Sequence, residues 1–240
     1  MKGYGEFCPL ALASEIVGEL WTPLVLRELV MGARRFNDIH RGVPRMSPAL
    51  LSRRLKTLEQ AGIVRRRRDG ARVDYEMTEA GENLTPVIVA LAEWGKRWLP
   101  ATLSRERADP DLIMWDMHRR IEHSRMPNER TVIRFDFEDQ PKAKRLRWLV
   151  GNSAGAELCI VDPGFDVDLF VSTDSRTITL VWYGDIPLKR ALAEGTIELH
   201  GPRELCQAFP GWLQLNLLAD VPRQQPVHET SAGASRGRGN

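Results

Sequence analysis

Apolar positions in the first hundred residues recur mainly at helical spacing. "CPLALASEIVGELWTPLVLRELVMG" carries two such runs, with Thr22 placed to cap the second helix, Pro23 suited to its first turn and Gly32 near its end. "RRFNDIHRGV" reads as a short third helix. The clearest helix is "MSPALLSRRLKTLEQAG": Ser47 is a natural N-cap, Pro48 fits the first turn, Leu51, Leu55 and Leu58 recur on one face, and Gly62 closes the end. Its opposite face holds Ser52, Arg53, Lys56 and Gln60. The period then shortens to the alternation of strands. "GIVRRRRDGARVDYEMT" predicts a hairpin turning at Asp69 and Gly70, which sets Arg67 opposite Arg72 and Arg65 opposite Asp74. "EAGENLTPVIVALAEWGKRWLP" returns to helix, interrupted near Pro86, with Leu84, Val87, Leu91, Trp94 and Trp98 as its apolar stripe.

After Pro100 the texture changes. "DLIMWDMHRRIEHS" is helical, whereas "RTVIRFDFED", "KRLRWLVGN", "AELCIVDP", "DVDLFVSTD" and "RTITLVWYGD" are short apolar or alternating runs bounded by turn residues. These predict five consecutive antiparallel strands. "PLKRALAEG" and "PRELCQAFPGWLQLNLL" add helices around a strand-like "TIELHG", and the Pro-, Gly- and Ser-rich end has too little apolar surface to fold. The chain therefore divides into expected domains at 1–104 and 105–221, followed by a disordered tail at 222–240.

Composition narrows the class. With 240 residues, 42% apolar and 28% charged, the sequence suits a soluble two-domain protein. No apolar run reaches the length of a membrane span and no signal peptide is apparent, so a cytoplasmic location without membrane attachment is expected. Cys8, Cys159 and Cys206 are too far apart for a disulfide framework or a structural zinc site. His118 and Glu122 have helical metal-ligand spacing beside His123, but a solvated helix face accounts for them better. The five histidines are dispersed, no residue group suggests catalysis, and no cofactor or metal is implied.

Charge distribution points elsewhere. Between Arg34 and Arg72 there are twelve Arg and Lys against three Asp and Glu, a local +9 in a chain whose net charge is +2. Such a block suits a polyanion. Three helices, a capped basic helix and a hairpin are the order of a winged helix-turn-helix, in which a helix enters the major groove and Arg or Lys replaces counterions on phosphate. The expected DNA-facing set is Arg34, Arg35, Ser47, Ser52, Arg53, Arg54, Lys56, Arg67 and Arg72, with Arg54 either on a phosphate or packed at the helix edge.

The run "FCPLALASEIVGELWTPLVLRELVMGARRFNDIHRGVPRMSPALLSRRLKTLEQAGIVRRR", followed by "YEMTEAG", resembles the HxlR-type winged-helix transcription regulators of bacteria over roughly residues 5 to 100. The resemblance implies a homodimer, joined through the first and last helices of this domain, on a nearly two-fold symmetric double-stranded operator. Some members of that family sense oxidants or electrophiles with a cysteine near the position of Cys8.

"DVDLFVSTDSRTITLVWYGDIPLKRALAEGTIELHGPRELCQAF" resembles the sterol carrier protein type 2 domain, within roughly residues 109 to 219. This implies an α+β fold with an apolar cavity between sheet and helices, and a hydrophobic small molecule as ligand. Trp148, Phe170, Trp182, Tyr183, Phe209 and Trp212 are the aromatic candidates for its lining, or simply for a core. The expected architecture is an N-terminal winged helix-turn-helix domain followed by an α+β antiparallel-sheet, sterol-carrier-like domain. The matching function is a dimeric DNA-binding regulator, responsive to a hydrophobic effector and not an enzyme. Two rivals remain: a lipid carrier whose helical domain only dimerises, and a Cys8 redox regulator with a structural second domain.

Overall fold

The computed structural model describes residues 3–99, 101–102, 108–224 and 227–228. The chain forms two compact units, Met1–Ala92 and Glu93–Asn240, and the division falls inside a helix. In the first unit α1 (Pro9–Val17), α2 (Thr22–Val30), α3 (Phe36–Gly42) and α4 (Pro48–Gln60) precede a hairpin of β1 (Val64–Asp69) and β2 (Arg72–Met77). A short α5 (Glu79–Glu82) leads to α6 (Thr85–Trp98), which begins in the first unit and ends in the second.

Local signals set α4. The Ser47 hydroxyl accepts the Leu50 N–H at 3.3 Å and Pro48 occupies the first turn. At the other end Gly62 adopts φ 71, its N–H donates to the Glu59 carbonyl, and the Ile63 N–H donates to the Leu58 carbonyl. That paired closure satisfies carbonyls the helix would otherwise leave open. Leu51, Leu55 and Leu58 are fully buried against Val25, Leu26, Leu29, Ile39 and Met46. Each leucine contributes about 1.5–3 kcal/mol of burial, which fixes the rotation of α4 and leaves its polar face outward. Thr22 does not cap α2 as expected. The cap position is Trp21, held in the left-handed region at φ 77, and Thr22 is already the first helical residue.

The stripe expected on α6 is present but faces outward: Val87, Leu91, Trp94 and Trp98 are each about half exposed, and only Leu84 packs partly against the first unit's core. Among the described residues no single helix is long and apolar enough to cross a membrane, although α1 and α2, bent by 82°, pass that test as a pair. Val25, Leu26 and Leu29 of α2 belong to the core.

The second unit opens with β3 (Ala101–Thr102) and α7 (Pro110–His118), then a 3-10 turn at His123–Arg125. It continues through β4 (Thr131–Phe137), α8 (Lys142–Arg145), β5 (Leu146–Asn152), β6 (Gly155–Cys159), β7 (Leu169–Thr173), α9 (Ser175–Trp182), α10 (Leu188–Ala193), β8 (Ile197–His200) and α11 (Arg203–Trp212), ending in β9 (Val227–His228). The sheet order is β6-β5-β4-β7-β8.

Two expectations fail here. The sheet is mixed rather than antiparallel throughout, because β7 lies parallel to β4 with Phe135 beside Val171. The second failure is "RTITLVWYGD", which contributes the helix α9 and no strand. Its β-branched residues suggest a strand, but the Asp174 carboxylate accepts the Thr177 N–H at 2.8 Å and the Thr177 hydroxyl at 2.5 Å, capping a helix. Ile178, Val181 and Trp182 then share one buried face at helical spacing.

The expected tail is only partly testable: residues 225–226 and 229–240 lie outside the described residues. Within the described part of that segment, Arg223 donates to the Asp185 carboxylate at 2.8 Å and β9 pairs in parallel with β3. Buried Lys96, near the end of α6, donates to the Tyr183, Leu218 and Ala219 carbonyls. Burial lowers its pKa, against the opposing pull of Asp185.

Candidate nucleic-acid interface

The core contacts of α4 leave Ser47, Ser52, Arg53 and Lys56 exposed on one side of the first unit. Arg54 is different. Its guanidinium forms an ion pair with Glu19 and donates through Nε to the Leu20 carbonyl at 3.3 Å, with only 15% of the side chain exposed. It ties α4 to the α1–α2 turn, so its charge is already committed within the first unit.

The hairpin register differs from expectation by two residues. Asp69 pairs with Arg72, so the turn residues are Gly70 and Ala71, with Gly70 at φ 57. A two-residue turn whose first central residue is left-handed favours glycine there, and it spares Asp69 a positive φ. A shift of two leaves each side chain on the same face but changes its partner. Arg67 faces Asp74, not Arg72, and its Nε lies 3.0 Å from Glu76. Arg65 faces Glu76, not Asp74, at 3.2 Å, while Arg72 pairs with Asp74 at 2.7 Å. The expected clash of Arg67 with Arg72 does not occur.

Arg66 and Arg68 lie on the alternate face, opposite Tyr75 and Val73, and are exposed. Arg34 and Arg35 join the same structure: the Arg34 carbonyl accepts the Tyr75 N–H at 2.7 Å, and Arg35 bridges to Asp74. No ion pair among the described residues neutralises Arg34, Arg35, Arg53, Lys56, Arg66 or Arg68. Sequence reasoning missed Arg66 and Arg68, together with the anchoring roles of Glu19 and Glu76. Reading Gly70-Ala71 as the turn would have placed carboxylates opposite Arg65 and Arg67 and left Arg66 and Arg68 as the unpaired set.

Cys8 is exposed at the N-cap of α1, where its side chain makes no capping bond. The metal spacing of His118 and Glu122 is not realised, because α7 ends at His118. The Glu122 carboxylate instead accepts from Ser124 and Gln214, which hold its pKa below the usual value. Among the described residues no group of three metal-ligating side chains is arranged around a common point.

The six aromatic candidates of the second unit separate onto two faces of one sheet. Trp182, Phe209 and Trp212 are buried with Phe135 and Phe137 on the helix-covered face, and Tyr183 packs at their edge. The Phe209 ring lies 6.2 Å from Phe135 and 6.0 Å from Trp212. The indole N–H groups are satisfied, Trp182 by Asp116 at 2.6 Å and Trp212 by the Arg125 carbonyl at 2.8 Å. Trp148 and Phe170 flank Arg134 in register and point to the other face.

Known proteins match the first unit. The HxlR-like helix-turn-helix family matches residues 16–103. An uncharacterized HTH-type transcriptional regulator of Mycobacterium tuberculosis, Rv3095, is 40% identical over 116 residues, covering 42% of this chain and 72% of the relative. YvaP of Bacillus subtilis, likewise an uncharacterized HTH-type transcriptional regulator, is 33% identical over 98 residues, covering 39% of this chain and 91% of its own length. Among solved structures, the reduced form of the transcriptional regulator YodB from B. subtilis is 32% identical and covers 38% of this chain and 93% of that one, with a TM-score of 0.34. These relatives are named as regulators and not as enzymes. The exposed basic helix, the adjoining hairpin and these matches identify the chain as a transcription regulator of the HxlR-like helix-turn-helix family.

Proposed function

We propose that the protein is a homodimeric regulator that binds a nearly two-fold symmetric operator through α4 and the β1–β2 wing, and that a small molecule bound by the second unit shifts this equilibrium. The observation that carries the DNA-binding part is the coincidence of an outward α4 face, bearing Ser52, Arg53 and Lys56, with four further exposed and uncompensated arginines at Arg34, Arg35, Arg66 and Arg68. On this reading Ser52, Arg53 and Lys56 meet base edges, and the N-terminus of α4 around Ser47 meets phosphate. Arg67 and Arg72 remain at the wing, with part of their charge committed to Glu76 and Asp74.

Dimerisation is supported by the half-exposed stripe on α6, by the almost bare Phe7 and by the largely exposed Leu10. Apolar surface of this kind marks interaction sites. We assign the DNA-binding and dimerising domain to 1–104 and a sterol-carrier-like effector domain to 105–221, which keeps α6 with the domain it would dimerise. An effector needs to favour one arrangement by only about 1–3 kcal/mol to regulate usefully.

Salt titration of operator binding tests the interface. Arg68→Ala is expected to lower affinity similarly on all sequences and to reduce the salt slope by about one, while Arg67→Ala changes it less because Glu76 shares that charge. Slopes equal to wild type for Arg66→Ala and Arg68→Ala alike would remove the wing from the phosphate contacts. A second reading, a thiol switch, rests on the exposure of Cys8. It requires that Cys8→Ser abolish the response of DNA binding to diamide while leaving the unoxidised affinity unchanged.

A further inference from the structure

We infer that the face of the second unit's sheet opposite its helix-covered core is a binding site for a planar aromatic carboxylic acid, with Arg134 as its anion receptor. This rests on the effector reading above and gives the effector a chemistry. One row of side chains crosses all five strands on this face: Cys159, Trp148, Arg134, Phe170 and His200 are successive register partners. Ile133, Phe135, Leu149, Leu169 and Val171 take the opposite face into the helix-covered core. Strands lie about 4.8 Å apart, so Trp148 and Phe170 stand roughly 10 Å apart on either side of Arg134.

Arg134 is the unusual member of the row. Its guanidinium carbon lies 4.6 Å from the Phe170 ring centroid, and its buried Nε–H has no hydrogen-bond partner among the described residues. Buried donors are nearly always satisfied, so an orphan beside aromatic rings calls for an acceptor.

Three carboxylates sharing this face are already engaged. Asp136 accepts from Arg145 at 2.5 Å, Asp168 accepts the Val132 N–H at 2.7 Å, and Glu198 lies 3.2 Å from His200. A second cation, Arg130, sits 3.8 Å from the Phe165 ring centroid and has no carboxylate partner among the described residues either. The face therefore offers cations stacked on aromatic rings, and its exposed carboxylate Glu157, without an ion pair among the described residues, stands two strands from Arg134 on β6. A carboxylate on the Arg134 fork would satisfy both the charge and the orphan donor. Partly exposed Phe170, with largely buried Trp148 on the other side of Arg134, favours a flat ring as the body of that ligand over a flexible chain.

The test is calorimetric titration of the full chain with 2-naphthoate, with its neutral analogue 2-naphthylmethanol and with decanoate below its micellar range. Saturable naphthoate binding is expected, with the alcohol and decanoate each weaker by about tenfold or more. Arg134→Gln removes the advantage of naphthoate over the alcohol. Arg134→Lys, which keeps the charge but loses the fork, retains part of it and serves if the glutamine variant does not fold. The site is overturned by absent naphthoate binding, by equal binding of acid and alcohol, by decanoate matching naphthoate, or by an Arg134→Gln affinity equal to wild type. Repeating operator titrations with naphthoate separates the two readings. Binding through Arg134 without any effect on DNA leaves the site and removes its effector role; an effector acting equally on wild type and Arg134→Gln keeps the effector reading and removes this site.

Discussion

Leu91→Asp is expected to leave the fold intact and to weaken operator binding by about 100-fold or more. Leu91 is half exposed in the middle of the α6 stripe, between Val87 and Trp94. Replacing it in an isolated chain should change stability by no more than about 0.5 kcal/mol, as for an ordinary surface position. In a dimer the same carboxylate would be buried in an apolar seam without a partner, which costs far more. Loss of the dimer separates two recognition helices whose simultaneous binding multiplies affinity by about 100-fold to 10,000-fold. Sedimentation should therefore show the variant as a monomer at concentrations where wild type is a dimer, with an unchanged circular dichroism spectrum. A Leu91→Asp protein that remains dimeric would place the interface elsewhere.

The second large effect belongs to the outward face of α4. Arg53→Ala should cost about 1–3 kcal/mol on the operator, with much less loss on unrelated DNA, and Lys56→Ala should act in the same direction. Arg53 makes no ion pair among the described residues that its loss would disrupt, so the change would report on the complex. Arg54→Ala provides the contrast. It removes the link to Glu19 and the Leu20 carbonyl and should loosen α4 without changing the salt slope. The two neighbouring arginines would thus separate a group expected to reach DNA from one that holds the helix in place. Anisotropy titrations on operator and scrambled duplexes at several salt concentrations measure all three variants.

Much of the first unit was legible because its signals are local. Ser47, Pro48 and Gly62 delimit α4 through their own backbone preferences, and Leu51, Leu55 and Leu58 define its buried face. The hairpin was legible in pattern but not in register, since Asp69-Gly70 and Gly70-Ala71 are both acceptable turn pairs and only the folded strands choose. That choice decided which arginines are paired and which are free. The partnership of Arg54 with Glu19 joins α4 to the distant α1–α2 turn and leaves no periodic trace.

The second unit hid more. Parallel pairing of β4 with β7 joins residues far apart in the chain, and no turn announces it. In α9 the side-chain preferences of Thr177, Ile178 and Val181 favour a strand, while the Asp174 cap and the helical spacing of the buried residues prevail. Aromatic content suggested a single pocket, but strand alternation sends Trp148 and Phe170 to one face and leaves Phe209, Trp212 and Trp182 in the core on the other. The α6 stripe followed the expected period, yet its direction depends on what surrounds the helix, which periodicity does not encode.

The most direct test is titration of the purified full-length protein on the DNA upstream of its own coding sequence, against a scrambled duplex of equal length and composition, at near-physiological salt. The account predicts a saturable complex of two chains per site, about 1,000-fold or more tighter than on the scrambled duplex, and weakened steeply by salt. Equal affinity for both duplexes, or one chain per site at saturation, would contradict it.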